Sequence, residues 1–208
     1  MIDADWLFFV LASLAVILTP GQDMVLVMSR SIAQGAAAGV VTAAGVSLGL
    51  VGHTLLATLG LGALLRTSAW VFMAFKLAGA AYLVYLGVQL LRTRAQQLEM
   101  RDGGAQPLPR LFFSGALSNL GNPKVAIFYF AFLPQFVRPD AAHPTWTVAV
   151  LGLLFSALTF AVKGPVGLAA ARLSAWLRRR PGALLGLYRA SGLVFIGLGL
   201  RLALERRG

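Results

Sequence analysis

The apolar positions of this chain gather into six long runs, near residues 6–28, 36–65, 69–91, 111–133, 146–171 and 187–204. Each can hold a helix of about 20 residues, the length that crosses a bilayer. The second run is longer than a bilayer requires, so its helix must tilt, bend or protrude. Polar residues interrupt two of the runs at matching places. The first run contains Ile17-Leu18-Thr19-Pro20-Gly21-Gln22-Asp23, and the fourth contains Asn119-Leu120-Gly121-Asn122-Pro123-Lys124. A proline within a helix removes the bond to the carbonyl four residues back. Pro20 therefore frees the carbonyl of Val16, and Pro123 frees that of Asn119. Hydrocarbon offers such groups no partner, so a broken helix persists only where protein or a polar cavity satisfies it. Two interrupted spans in corresponding positions point to a transporter's binding site.

One sizeable polar connection, residues 92–109, carries Gly103-Gly104 and Pro107-x-Pro109. It divides the chain into halves of about 1–91 and 110–208, each with three spans. The expected fold is an all-α membrane protein of six transmembrane helices, a 3+3 inverted repeat with helices one and four broken. It forms a single integral-membrane domain over 1–208. An odd number of spans per half makes the halves antiparallel, as in transporters built on inverted repeats. Lys76-x-x-Gly79-x-x-Tyr82 in span three parallels Arg189-x-x-Gly192-x-x-Phe195 in span six. Gly35-x-x-x-Gly39, then Gly45, Gly49 and Gly52 on one face of span two, read as helix-packing positions, as do Gly79, Gly87, Gly192, Gly197 and Gly199.

Composition agrees: 58% of residues are hydrophobic and 12% charged, against about 25% charged in a soluble domain. The net charge of +11 does not point to nucleic acid, because the basic residues cluster between spans. Arg92, Arg94, Arg101 and Arg110 lie between spans three and four, and Arg172, Arg178, Arg179, Arg180 and Arg189 between five and six. Basic loops stay in the cytoplasm. The N-terminus, with Asp3, Asp5 and no Lys or Arg, is thus expected outside, and that charge also argues against a cleaved signal peptide. Arg138 alone lies between spans four and five, whereas Arg201, Arg206 and Arg207 at the C-terminus run against this orientation. Trp6, Trp70, Trp146 and Trp176 fall at span ends, as interfacial anchors do. The absence of cysteine excludes disulfide and thiolate chemistry.

Asp23 is the only acidic residue inside any span. A carboxylate at membrane depth faces protein or water and marks function. Asp23 is therefore a candidate proton carrier, or a cap for the half-helix that follows Gly21. Lys124 sits too deep to reach the interface, and Asp23 is its expected partner. Such a pair could open to hold the charged ends of an amino acid, with Asn119 and Asn122 adding amide groups. His53, near the middle of span two, is a hydrogen-bonded core residue or a proton relay. Lys76 and Lys163 read as residues near span ends whose ammonium groups reach the interface, although Lys163-Gly164-Pro165 bends span five and could line the path. No enzyme signature is present, and one central His with one buried Asp is too few for a metal site. Neither cofactor nor metal is expected.

These residues resemble the LysE/RhtB family of bacterial amino-acid exporters. Thr19-Pro20-Gly21-Gln22-Asp23-Met24 is similar to the family's T-P-G-P-(D) motif, with Gln22 where Pro is commoner. Arg30-Ser31 through Gly35 and Gly39, and Lys76-Leu77-Ala78-Gly79-Ala80-Ala81-Tyr82-Leu83 with Gly87, resemble the segments that follow. So do Phe113-x-Gly115 through Asn119, Asn122-Pro123-Lys124 and Phe132-Leu133-Pro134-Gln135-Phe136. The resemblance implies export of amino acids or close derivatives across the bacterial inner membrane, driven by protons. It adds Thr19 and Gln22 to the substrate-binding or proton-coupling candidates Asp23, Asn119, Asn122, Lys124 and His53, around the breaks Pro20, Gly21 and Pro123. The implied partners are an amino-acid substrate, protons and membrane lipid, and the glycine faces permit a homodimer. A non-transporting membrane subunit or chaperone, and a cation transporter of similar architecture, are the alternatives.

Overall fold

A computed structural model describes residues 6–66, 69–92, 105–137, 141–179 and 181–204. Asp3, Asp5, Arg138, Arg206, Arg207 and most of the polar connection, including Gly103-Gly104, lie outside the described residues. The described chain is helical in every regular element except an isolated bridge at Val137.

The first run divides into α1, Trp6–Leu18, and α2, Gln22–Gln34, with a bend of 53° between them. Thr19, Pro20 and Gly21 form the break. Gly35 ends α2 with φ of 91°, a conformation open to glycine but strained for other residues. The second run is α3, Ala36–Arg66, and the third is α4, Ala69–Arg92. The fourth run breaks as expected, into α5, Leu108–Leu120, and the short α6, Pro123–Ile127. A π-helical turn, Phe128–Phe132, and a 3-10 turn, Leu133–Phe136, continue it. The fifth and sixth runs are α7, Pro144–Arg179, and α8, Pro181–Leu204.

Helix α7 has 36 residues and is therefore roughly 54 Å long, well beyond a hydrocarbon core of about 30 Å. It extends the expected span, residues 146–171, at both ends and runs on through Lys163-Gly164-Pro165. Hydropathy ends where the bilayer ends, but arginine and leucine are good helix formers and carry the helix further.

Ala36–Gly60, Pro144–Ala170 and Leu185–Leu204 are long and apolar enough to cross a membrane, and the bent α1–α2 pair passes as a fourth span. Helix α4 and the interrupted α5–α6 segment do not meet that measure among the described residues.

Helix α3 packs against α7, α5 and α2, while α4 packs against α8. The main apolar core joins Phe9, Leu50, Phe128, Tyr129, Phe155 and Phe195 from five different segments. Large side chains such as Leu55, Leu59, Phe113, Leu117 and Leu193 point outward. In a membrane that outer surface meets lipid rather than water.

Candidate functional site

Each break leaves one helical carbonyl over, and each is completed by a side chain from another element. Thr19 Oγ1 closes the last turn of α1 on the Ala15 carbonyl at 2.6 Å. The Val16 carbonyl, freed by Pro20, accepts from Lys124 Nζ at 3.0 Å. Lys124 belongs to the other break, 108 residues away. The Asn119 carbonyl, freed by Pro123, meets His53 Nε2 at 3.1 Å and also accepts the Asn122 N–H at 2.9 Å. A carbonyl can only accept, so His53 carries its hydrogen on Nε2. Its Nδ1 is buried without a partner among the described residues.

Asn122 starts α6 by capping it: its Oδ1 accepts the Lys124 N–H at 3.1 Å. No side chain caps α2, whose N-cap is Gly21. Asp23 in its first turn does not do so either. Asp23 Oδ2 accepts from Asn119 Nδ2 at 2.8 Å and from Lys163 Nζ at 3.2 Å, while Oδ1 has no partner among the described residues. The expected pairing of Asp23 with Lys124 is thus replaced by a buried ion pair with Lys163 of α7. Lys163 does not reach for an interface, because it lies near the middle of the long α7 and is 6% exposed. Lys76 is likewise buried rather than extended to an interface.

Asn119 owes its place to Gly49 on α3. A Cβ at Gly49 would stand 2.7 Å from the Ala116 carbonyl oxygen and 2.8 Å from Asn119 Cβ. Glycine lets α5 lie directly on α3, which holds the Asn119 amide against Asp23.

Thr19, Gly21, Gln22, Asp23, Asn119, Asn122, Lys124 and Lys163 line one small cavity, with Leu50, Phe155 and Thr159 among its other walls. Its volume is about 20 Å³, enough for a single water molecule. Gln22 is exposed, and its amide donates to Ser118 Oγ at 3.0 Å, joining the two breaks a third time. His53 does not line the cavity and stands behind Asn119. All the other polar candidates named from the sequence converge here. Ser118 was not among those candidates, and Lys163 was read only as part of a bend that could line the path. The signal for Lys163 was its place before Gly164-Pro165, a third proline interruption deep in an apolar run.

A family model described as LysE type translocator matches residues 14–206. The chain belongs to the LysE type translocator family. Among its relatives, an uncharacterised membrane protein of Pseudomonas aeruginosa is 34% identical over 96% of this chain and 94% of its own length. The homoserine/homoserine lactone efflux protein of Salmonella typhimurium is 33% identical over 97% of both chains. The leucine efflux protein of Klebsiella pneumoniae is 29% identical over 96% of this chain and 94% of its own. No solved structure matches.

This LysE type translocator is accordingly a multi-pass membrane protein from a family whose named members are efflux proteins rather than enzymes. Two of the segments that carry the family resemblance, Thr19–Asp23 and Asn119–Lys124, are the two helix breaks that meet at the cavity.

Proposed function

We propose that the protein exports amino acids or close derivatives from the cytoplasm across the inner membrane, in exchange for protons. In this reading the six helices form one domain, a 3+3 inverted repeat with the N-terminus outside. The observation that carries the proposal is the buried Asp23–Lys163 pair at the meeting of two broken helices, beside the cavity that Asp23 and Lys163 both line. The efflux activities in the names of the Salmonella and Klebsiella relatives support it.

The chemistry follows from the hydrogen-bond inventory. An ionised Asp23 holds Lys163 and the Asn119 amide together, so it ties α2 to α7 and α5. A proton on Asp23 would remove the charge that holds Lys163 and loosen that tie. A substrate ammonium at Asp23 would compete with both. Proton and substrate then use one carboxylate in turn, which is the simplest form of exchange. A cavity of about 20 Å³ is too small for an amino acid, so the two breaks must part for substrate to enter. Rocking of one half against the other around a central site would part them.

Inverted membrane vesicles containing the protein test the proposal. With an acidified lumen they should accumulate at least one labelled amino acid, homoserine or homoserine lactone, and collapse of the proton gradient should stop it. No accumulation above empty vesicles for any of these compounds would favour a non-transporting subunit. Flux of an inorganic cation alone would favour a cation transporter.

A further inference from the structure

We propose that Lys124 is the receptor for the substrate's free α-carboxylate, so that the site admits amino acids and refuses their esters, amides and lactones. The inference rests on the export reading and names what that site recognises. It begins with the charges that line the cavity, which are Asp23, Lys163 and Lys124. Asp23 is already paired with Lys163. Lys124 has no anion within ion-pair distance among the described residues. Its ammonium holds the neutral Val16 carbonyl and lies 5.3 Å from the centre of the Phe195 ring. An ammonium has three donors, and only one is used here. A cation at membrane depth is costly without a counter-charge, and an arriving carboxylate supplies one.

The surroundings of Lys124 suit an anion. Gly21 puts no side chain in front of it, since a Cβ there would lie 3.6 Å from Lys124 Nζ. Immediately after Gly21, the 13-residue α2 begins with no side-chain cap. Its first N–H groups add positive potential where Lys124 adds positive charge.

Two residues of the cavity wall with an unmet acceptor complete a zwitterion site. Asp23 Oδ1 and Asn119 Oδ1 are buried and unpartnered, and both residues line the cavity with Lys124. An unmet carboxylate oxygen on Asp23 fits an ammonium. Donors on one side and acceptors on the other orient an amino acid with its carboxylate on Lys124. As Lys124 turns to that carboxylate it releases the Val16 carbonyl, and with it a bond that joins the two breaks. The group that recognises the substrate is therefore also a group that opens the site. Esters, amides and lactones have no anion to draw Lys124 away. The name of the Salmonella relative includes a lactone, and this chain is expected to differ from it there.

The test uses the full chain reconstituted in lipid nanodiscs and in proteoliposomes. Its probes are the L-amino acids and L-homoserine, each beside its methyl ester or amide, together with homoserine lactone. Binding is read as a shift in thermal unfolding, and transport as exchange of label. At least one free acid should bind about tenfold or more tightly than its ester. Lys124→Gln keeps a donor for the Val16 carbonyl but loses the charge, and should bind acid and ester alike. Lys124→Arg should restore the preference for the acid. Equal binding of acid and ester by the unaltered protein, or an unchanged acid preference in Lys124→Gln, would overturn the inference while leaving export in place. If no acid or ester binds or exchanges, the export reading itself falls and takes this inference with it.

Discussion

Lys163 Nζ stands 3.2 Å from Asp23 Oδ2, across 140 residues of chain, and the two side chains are 8% and 6% exposed. This pair joins the first turn of α2 to the middle of α7. Asn119 of α5 donates to the same carboxylate oxygen. Three segments are thus held by one acid, the only one in the described residues.

That arrangement predicts an unusual pattern of stability. Asp23→Asn leaves the Lys163 ammonium buried without its anion, and Lys163→Met does the reverse to Asp23. Removing one partner of a buried pair costs about 3–5 kcal/mol. The double variant Asp23→Asn/Lys163→Met removes both charges and should recover most of the loss in thermal unfolding. It should still lack proton-driven export, because the carboxylate is gone. Single variants as stable as the parent protein would mean that the pair does not hold the helices together.

The second break depends on a donor from α3. His53→Phe keeps an aromatic ring beside Tyr129, whose ring centre lies 5.5 Å from that of His53. It takes away the donor to the Asn119 carbonyl. The cost should be about 1 kcal/mol, at the low end for a lost bond because the Asn122 N–H still reaches that oxygen. His53→Gln, which retains a donor, should fall between the two in chemical denaturation. An unchanged His53→Phe variant would show that the carbonyl needs only its backbone partner.

Two glycines of α3 should respond in opposite directions to alanine. Gly49→Ala places a Cβ 2.7 Å from a backbone oxygen of α5, and overpacking of this kind costs about 1–3 kcal/mol. It should also weaken substrate binding, since it displaces Asn119. Gly60→Ala meets nothing nearer than the Phe130 ring at 4.0 Å, so the gain in helix propensity, about 1 kcal/mol, should prevail. Equal unfolding temperatures for the two variants would contradict the close crossing of α3 and α5.

The orientation proposed from the arginine-rich connections has a direct check. The chain has no cysteine, so Gly104→Cys introduces a single thiol into the connection between the halves. In intact cells it should resist a membrane-impermeant thiol reagent, and react once the membrane is opened. Ready labelling from outside would reverse the topology.

Both helix breaks, and the two carbonyls that they free, could be read from the chain because proline acts locally. It lacks an N–H, and the consequence falls on the carbonyl four residues back whatever the rest of the protein does. For the same reason the polar residues beside the breaks, Thr19, Gln22, Asp23, Asn119, Asn122 and Lys124, were legible as candidates. Each sits in an apolar run where a polar group needs a reason to be. Helix ends were less legible. Hydropathy marks where a segment leaves hydrocarbon, and α7 continues to Arg179 as a helix in its own right.

The partners were decided only by the tertiary structure. The sequence suggested Lys124 as the partner of Asp23. The packing of α7 against α2 and α3 brings Lys163 to the carboxylate instead, and sends Lys124 to the Val16 carbonyl. Likewise nothing local joins His53 to Asn119. That contact exists because α5 lies along α3 at a row of glycines. A charge or a freed carbonyl declares its need in the sequence, because its need is a property of the residue. Which donor meets it depends on how helices far apart in the chain cross, and only the packed structure sets those distances.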